Sequence, residues 1–314
     1  MTVPGGLADA GRARHALHGE GSIWVEKNCY VDVWIELLHA LRLEPHACLP
    51  FVFAIDFEGD QWTFFKPPLA ELRTLYGIDV QELTVWRPLA DHAAEHLTAG
   101  RLLAVEVDAH WLPDTAGTDY RQAHAKTTIV LNEFDRAARR LGYFHNAGYF
   151  TLDGDDFDAL FDNAPPLPPY AELIRIDRAH ARPDAELRAL SARLLAQHLA
   201  FGPRDNPLRR FQARFDADQP GLREHGLAHY HRYAFAGIRQ FGAAYELGAQ
   251  YLRWSGAEPG GTAAAAFERI AQHAKTLILK AARSVNSGRP LDAAALFDEM
   301  AAAWDAGMAA LAVR

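Results

Sequence analysis

The chain is poor in cysteine, with two in 314 residues, Cys29 and Cys48. Two thiols cannot build a disulfide framework, so stability must come from a packed core. It has no surplus of positive charge: 32 Lys and Arg stand against 40 Asp and Glu, a net charge of -8. That balance excludes a strongly basic nucleic-acid-binding domain. It lacks a long apolar run. The stretch from Val31 to Leu41 is broken by Asp32, Glu36 and His39, far short of the roughly 20 apolar residues a membrane span needs. The opening MTVPGGLADAGRARHALHGEG has no apolar signal-peptide centre. The expectation is therefore a cytoplasmic protein with two reduced thiols, no membrane and no nucleic-acid partner. There is no internal repeat, and no low-complexity segment beyond alanine-rich helices.

What is present is globular material. At 49% hydrophobic and 23% charged residues, the chain can fill two cores. Residues 1–21, rich in Gly, Ala and charge, read as a flexible leader. Residues 29–43 read as a buried helix, with Tyr30, Trp34, Leu37, Leu38 and Leu41 in one stripe. LPFVFAIDFEGDQWTFFKPPL, 49–69, suggests a hairpin turning at Gly59. Short helices are predicted over 69–76 and 88–99, with a strand between them. Strands are predicted over 101–109, 127–135 and 143–152, and a short helix over 155–162. NAPPLPPY, 163–170, is a proline-rich linker. Beyond it, 184–200, 222–252, 262–285 and 291–312 have helical periodicity. The pattern is a leader over 1–21, a mixed domain over 22–165 and an all-helical domain over 166–314.

A thiol reacts as its thiolate, which a helix N-terminus and a nearby imidazole favour. Cys29 opens the first long helix, directly after Asn28, a suitable N-cap. Against this, a lone cysteine is more often a small buried residue. Among the 15 histidines, His124 ends a polar loop and precedes a strand, where it can face a helix packed on the sheet. A third group must orient the imidazole. Asn146 on the next strand is favoured over His145, since adjacent strand residues point to opposite faces. Helix cysteine, strand histidine and next-strand asparagine follow the order of papain-like enzymes.

Three stretches, NCYVDVWIELLHAL, VEVDAHWLPDTAGTDYRQAHAKTTIVLNEFD and YFHNAGYFTL, resemble the acyltransferase domain of the butirosin biosynthesis protein H type, a papain-like cysteine fold. The resemblance covers residues 22–160. The whole chain also resembles a bacterial family carrying DFEGDQWTFFK, LPDT, KTTI and YFHNAGY, often encoded near small amino acid:carrier-protein ligases. The implied fold is α+β, a central helix on an antiparallel sheet followed by a helical domain. The implied activity is acyl or aminoacyl transfer from a carrier-protein phosphopantetheine thioester, with no bound cofactor of its own. Cys29 would be the nucleophile, His124 the base and Asn146 its orienting group. The Cys29 N–H and Asn28 would meet the oxyanion, Asn28 being preferred to Glu26 because a carboxylate cannot donate. Asp108 and Trp111 would contact substrate. The sequence departs from the acyltransferase pattern in two places: Asn132-Glu133-Phe134-Asp135 replaces a Gly-Tyr-Asp, and an aspartate more often fills the third place.

Trp62 is a further candidate for an acyl pocket, and Asp56, in Asp56-x-Glu58-x-Asp60, for an acceptor amine, although a polar turn explains that cluster as well. Arg204, Arg209, Arg210 and Arg214 form a local basic patch suited to an acidic carrier protein, although a solvated helix face is the commoner role. His92/His96 and His225/His229 have metal-ligand spacing without completing groups, so no metal is expected. Two other functions remain: a cysteine hydrolase (peptidase, amidase or thioesterase), and a non-catalytic carrier-protein-binding protein on the same scaffold.

Overall fold

A computed structural model describes residues 7–11, 13–162, 168–256 and 261–312. The chain divides into two compact units. The first comprises Met1–Gly19, Asn28–Pro45 and Pro68–Arg182; the second comprises Glu20–Lys27, His46–Pro67 and Pro183–Arg314.

The first unit is α+β. After a short helix α1 (Leu7–Ala10), the chain enters α2 (Cys29–Ala40). Asn28 caps α2: its side-chain oxygen accepts from the Val31 N–H at 2.9 Å, satisfying one of the open donors of the first turn. The predicted stripe of α2 is buried, with Trp34, Leu37 and Leu38 almost wholly enclosed. α2 ends as Arg42 turns left-handed at φ 58 and Leu43 N–H returns to Leu38 O at 2.9 Å.

The residues read as a long hairpin over 49–69 begin inside a 3-10 segment, Pro45–Ala54, and within them β1 (Phe57–Glu58) and β2 (Gln61–Trp62) pair. The first unit resumes with α3 (Leu69–Tyr76), β3 (Asp79–Glu82), α4 (Leu89–Thr98), β4 (Leu102–Asp108) and β5 (Lys126–Asp135). The segment read as one strand over 143–152 is a hairpin, β6 (Arg140–His145) and β7 (Gly148–Asp153), followed by α5 (Gly154–Asp162). Most of the proline-rich linker lies outside the described residues. The sheet continues beyond it with β8 (Ala171–Arg175), which inserts between β3 and β4 to give the order β3-β8-β4-β5-β6-β7, each pair antiparallel. A boundary at 165 is therefore too early, and the first unit runs to Arg182. Polar Glu172 in the short run AELIR hid this strand from an alternation rule.

Of the leader over 1–21, residues 1–6 and 12 lie outside the described residues, and the reading is corrected for its end. Leu17 and His18 are buried, and the His18 ring lies between two carboxylates of α2, Glu36 on Nδ1 and Asp32 on Nε2. Short polar segments escape a hydrophobic-periodicity reading even when hydrogen bonds hold them in the core.

Register assigns the faces of the sheet. Glu172, Ala104, Val130 and Phe144 stand in one row across β8, β4, β5 and β6, and directly opposed residues share a face. α2 lies on that face, because Tyr30 donates to Glu172 at 2.6 Å. Alternation along β4 carries the same face through Glu106 to Asp108. The other face carries Val105, Ile129 and His145 in a row.

The second unit is built mainly of α6 (Asp184–Phe201), α7 (Pro207–Ala236), α8 (Ile238–Ser255), α9 (Thr262–Ser287) and α10 (Ala294–Ala312). Its core is aromatic, with Phe211, Phe215, Tyr230, Phe241 and Phe267 buried. The segment read as one helix over 222–252 breaks at Gly237 into α7 and α8, and α7 is itself kinked at Gly226, φ 77. Glu246 on α8 accepts from the backbone N–H groups of Ile23 at 2.5 Å and Trp24 at 3.0 Å, tying 20–27 into this unit. Among the described residues no helix is long and apolar enough to cross a membrane.

Candidate functional site

Cys29 is the first residue of α2 and is partly exposed. Its N–H belongs to the open donors of a helix start, and Asn28 Oδ1 serves the Val31 N–H instead. Cys29 thus sits where the helix presents unsatisfied donors and its positive end. Cys48 is buried in the second unit.

His124 closes the loop between β4 and β5. The base of that loop is fastened by Ala109 N–H to Ala125 O at 2.8 Å, so Asp108 and His124 flank it side by side. His124 Nδ1 meets Asp108 Oδ2 at 2.6 Å. A carboxylate only accepts, so the ring's proton sits on Nδ1 and Nε2 is the basic nitrogen. Asp108 Oδ1 accepts from His110 N–H at 3.0 Å and Ala125 N–H at 3.3 Å. Burial alone would raise the Asp108 carboxyl, but the hydrogen bond from His124 and that from His110 outweigh it and hold it below the usual carboxylate range. His124 itself is 71% exposed, and its ring stacks on His110 with centroids 4.3 Å apart and planes 14° apart. Trp111 meets His110 edge-on at 4.6 Å and lies under the Arg121 guanidinium at 4.9 Å.

The expectation of Asn146 as the orienting group is corrected. Asn146 occupies the tight turn between β6 and β7, at φ 45, and among the described residues it makes no hydrogen bond to His124. The clamp is Asp108, which the sequence reading assigns to substrate. A D-x-H or D-x-x-H search misses it because the partners are 16 residues apart and meet only through the β4–β5 register, Asp108 opposite Lys126. Cys29 and His124 are not hydrogen-bonded to each other among the described residues. Such bonds commonly close only when substrate is bound.

A second polar network lies on the sheet's other face, built from three of the short motifs. His145 Nδ1 meets Asp114 Oδ2 at 2.5 Å and Nε2 meets Thr127 Oγ1 at 2.7 Å. Tyr143 donates to Asp114 Oδ1 at 2.5 Å. His145 and Thr127 are buried, and burial, then the Asp114 charge, pushes the Tyr143 phenol far up. Asp114 belongs to LPDT, Thr127 to KTTI, and Tyr143 and His145 to YFHNAGY. Together they pin the middle of the β4–β5 loop to the sheet. The available signal was a polar residue, Thr127 or His145, near the end of a largely buried strand.

The remaining candidates lie in the second unit. Trp62 is packed among Phe57, Phe211 and Phe241, at 5.7, 5.9 and 5.0 Å, so its ring fills core rather than an open pocket. Asp56 pairs with Arg210 at 2.5 Å, and Arg210 also donates to Phe57 O at 2.5 Å. That pair anchors the β1–β2 hairpin, whose turn is at Gly59, φ 70. Arg209 faces Asp298 at 2.5 Å and Arg214 faces Asp218 at 2.9 Å, while Arg204 is exposed. A patch so matched with carboxylates carries little net positive field.

Fold and site define a two-part α+β protein: an antiparallel sheet that carries a partly exposed cysteine helix and a carboxylate-clamped histidine, and a helical second part. The chain belongs to the DUF1839 family. Residues 13–176 match the DUF1839 N-terminal domain and residues 184–313 the DUF1839 C-terminal domain. No curated protein matches the chain.

Proposed function

We propose that the protein is a cysteine-dependent acyl or aminoacyl transferase on a papain-like scaffold, working in the cytoplasm. The donor is a thioester on the phosphopantetheine arm of a carrier protein, and the acceptor is a small amine. The observation that carries this reading is the Asp108–His124 clamp at 2.6 Å, on the sheet face that also carries the helix opened by Cys29.

His124 Nε2 takes the Cys29 thiol proton. The thiolate attacks the thioester carbonyl, and the Cys29 N–H at the helix start meets the oxyanion. Collapse expels the pantetheine thiolate, which takes the proton from His124 and leaves an acyl–Cys29 thioester. The acceptor nitrogen then attacks, and its proton passes through His124 to the Cys29 sulfur. Asp108 holds the tautomer and balances the imidazolium. Exchange between two thiols costs little free energy, which suits a cysteine nucleophile to a thioester donor.

The 71% exposure of His124 favours one second reading, a hydrolase in which water replaces the amine. The test is intact mass after mixing the protein with a glycyl- or alanyl-loaded carrier protein, with and without an amine. A mass gain of one acyl group, lost in Cys29→Ala and kept in Cys48→Ala, supports the covalent route. Amide product then indicates transferase, and free acid alone indicates hydrolase. No mass gain, no loss of the carrier's acyl group and a Cys29 unreactive to iodoacetamide would overturn both.

A further inference from the structure

We propose that His110 is a second catalytic base, dedicated to removing the first proton from an ammonium acceptor. The inference rests on the acyl-transfer reading and names the acceptor class, a protonated alkylamine.

At neutral pH an alkylamine arrives as R–NH3+, with no lone pair. It must lose one proton before it can attack, and a second leaves the tetrahedral adduct. With Nδ1 bound to Asp108, His124 has a single nitrogen, Nε2, facing away from the carboxylate. That nitrogen takes the adduct's proton and returns it to the Cys29 sulfur. The first proton needs another acceptor. The balance is acyl–S–Cys29 plus R–NH3+ giving amide, Cys29 thiol and one H+, and that last proton must leave through a base.

His110 stands in the right place. Its ring lies parallel to that of His124 at 4.3 Å, and its own backbone N–H is fixed to Asp108 Oδ1 at 3.0 Å. One carboxylate thus positions both imidazoles. Among the described residues His110 Nδ1 is enclosed without a hydrogen-bond partner, so no partner at that nitrogen fixes the ring proton there. His110 is partly exposed, which gives its proton an exit to water. Among the described residues, charged neighbours of the pair include Asp108, Lys126 opposite it in the register and paired with Glu106, and Arg121 over Trp111, paired with Asp156.

The test uses the full chain, charged on Cys29 from an alanyl N-acetylcysteamine thioester, and compares two acceptors. Glycinamide is largely an ammonium at low pH and becomes neutral as pH rises; hydroxylamine is already neutral near pH 7 and needs no first deprotonation. His110→Gln is expected to slow transfer to glycinamide roughly 10- to 100-fold below that amine's pKa. The defect should shrink as pH rises, while transfer to hydroxylamine keeps pace with the unaltered chain. Equal slowing towards both acceptors, or a defect independent of pH, would assign His110 a structural role and overturn the proposal. So would undiminished glycinamide transfer. Failure of the unaltered chain to gain an acyl group on Cys29 would remove the acyl-transfer reading itself, and this inference with it.

Discussion

Replacing Asp108 by Asn changes one atom and separates orientation from packing. The amide keeps an oxygen for the His110 and Ala125 N–H groups, at 3.0 and 3.3 Å, so the loop base should hold. The atom facing His124 Nδ1 at 2.6 Å becomes an NH2 group, a donor where an acceptor stood. The ring is then favoured with Nδ1 bare and its proton on Nε2, the wrong tautomer for taking a thiol proton. Restoring the useful tautomer forfeits a hydrogen bond, about 1 kcal/mol. The imidazolium also loses its counter-charge. His124 is mostly exposed, so that loss is taken near the aqueous limit, about 1–2 kcal/mol. The sum, about 2–3 kcal/mol, is a slowing of roughly 30- to 150-fold. Single-turnover acylation of Cys29, followed by mass, measures it, and circular dichroism checks that the fold is intact. Acylation within threefold of the unaltered chain, with Cys29→Ala inactive, would show that Asp108 does not orient the base.

Three further outcomes are expected. Gly77 ends α3 at φ 73, and a Cβ there would lie 2.4 Å from Arg178 O; Gly77→Ala should cost about 2–4 kcal/mol in urea unfolding, and an unchanged midpoint would contradict the turn geometry. His145→Leu leaves Asp114 and Thr127 buried without their ring partner and should cost about 3–5 kcal/mol, whereas a loss under 1 kcal/mol would make the network dispensable. Asp108 is held below its ordinary value of 3.8, so its contribution is complete above that pH and is lost as pH falls through the lowered value. Asp79 behaves likewise, held down by its Gln81 hydrogen bond and by Arg73, so Asp79→Asn should flatten the acid limb of the stability–pH curve, and an unaltered limb would refute the assignment.

The parts legible in the sequence are those with local signals. α2 could be read from its apolar stripe and from Asn28, because capping and burial both act within a few residues. The strongest strands, β4 and β5, alternate or run apolar and were equally plain. What escaped depends on distant pairing. The Asp108–His124 clamp exists only because β4 and β5 are in one register, and no spacing rule encodes it. The β6–β7 hairpin reads as a single strand because its turn, Asn146-Ala147, is only two residues long. β8 is short and carries Glu172, whose charge is tolerated by two phenols: Tyr30 at 2.6 Å and Tyr170 at 2.7 Å. The leader is held by His18 against buried carboxylates, a contact that polarity patterns assign to solvent.

The two units are not consecutive along the chain, since residues 20–27 and 46–67 lie within the first half yet belong to the second unit. A cut near residue 182 would therefore not release a domain. The N-terminal fragment would keep two orphan strips, with Phe57 and Trp62 stripped of Phe211 and Phe241, and sticky for that reason. The C-terminal fragment would lose part of its own interior. The point where the two family segments meet is a seam in the text, not in the molecule. Each unit takes chain from both sides of that seam, so a part that is whole in three dimensions cannot be cut out as one continuous stretch.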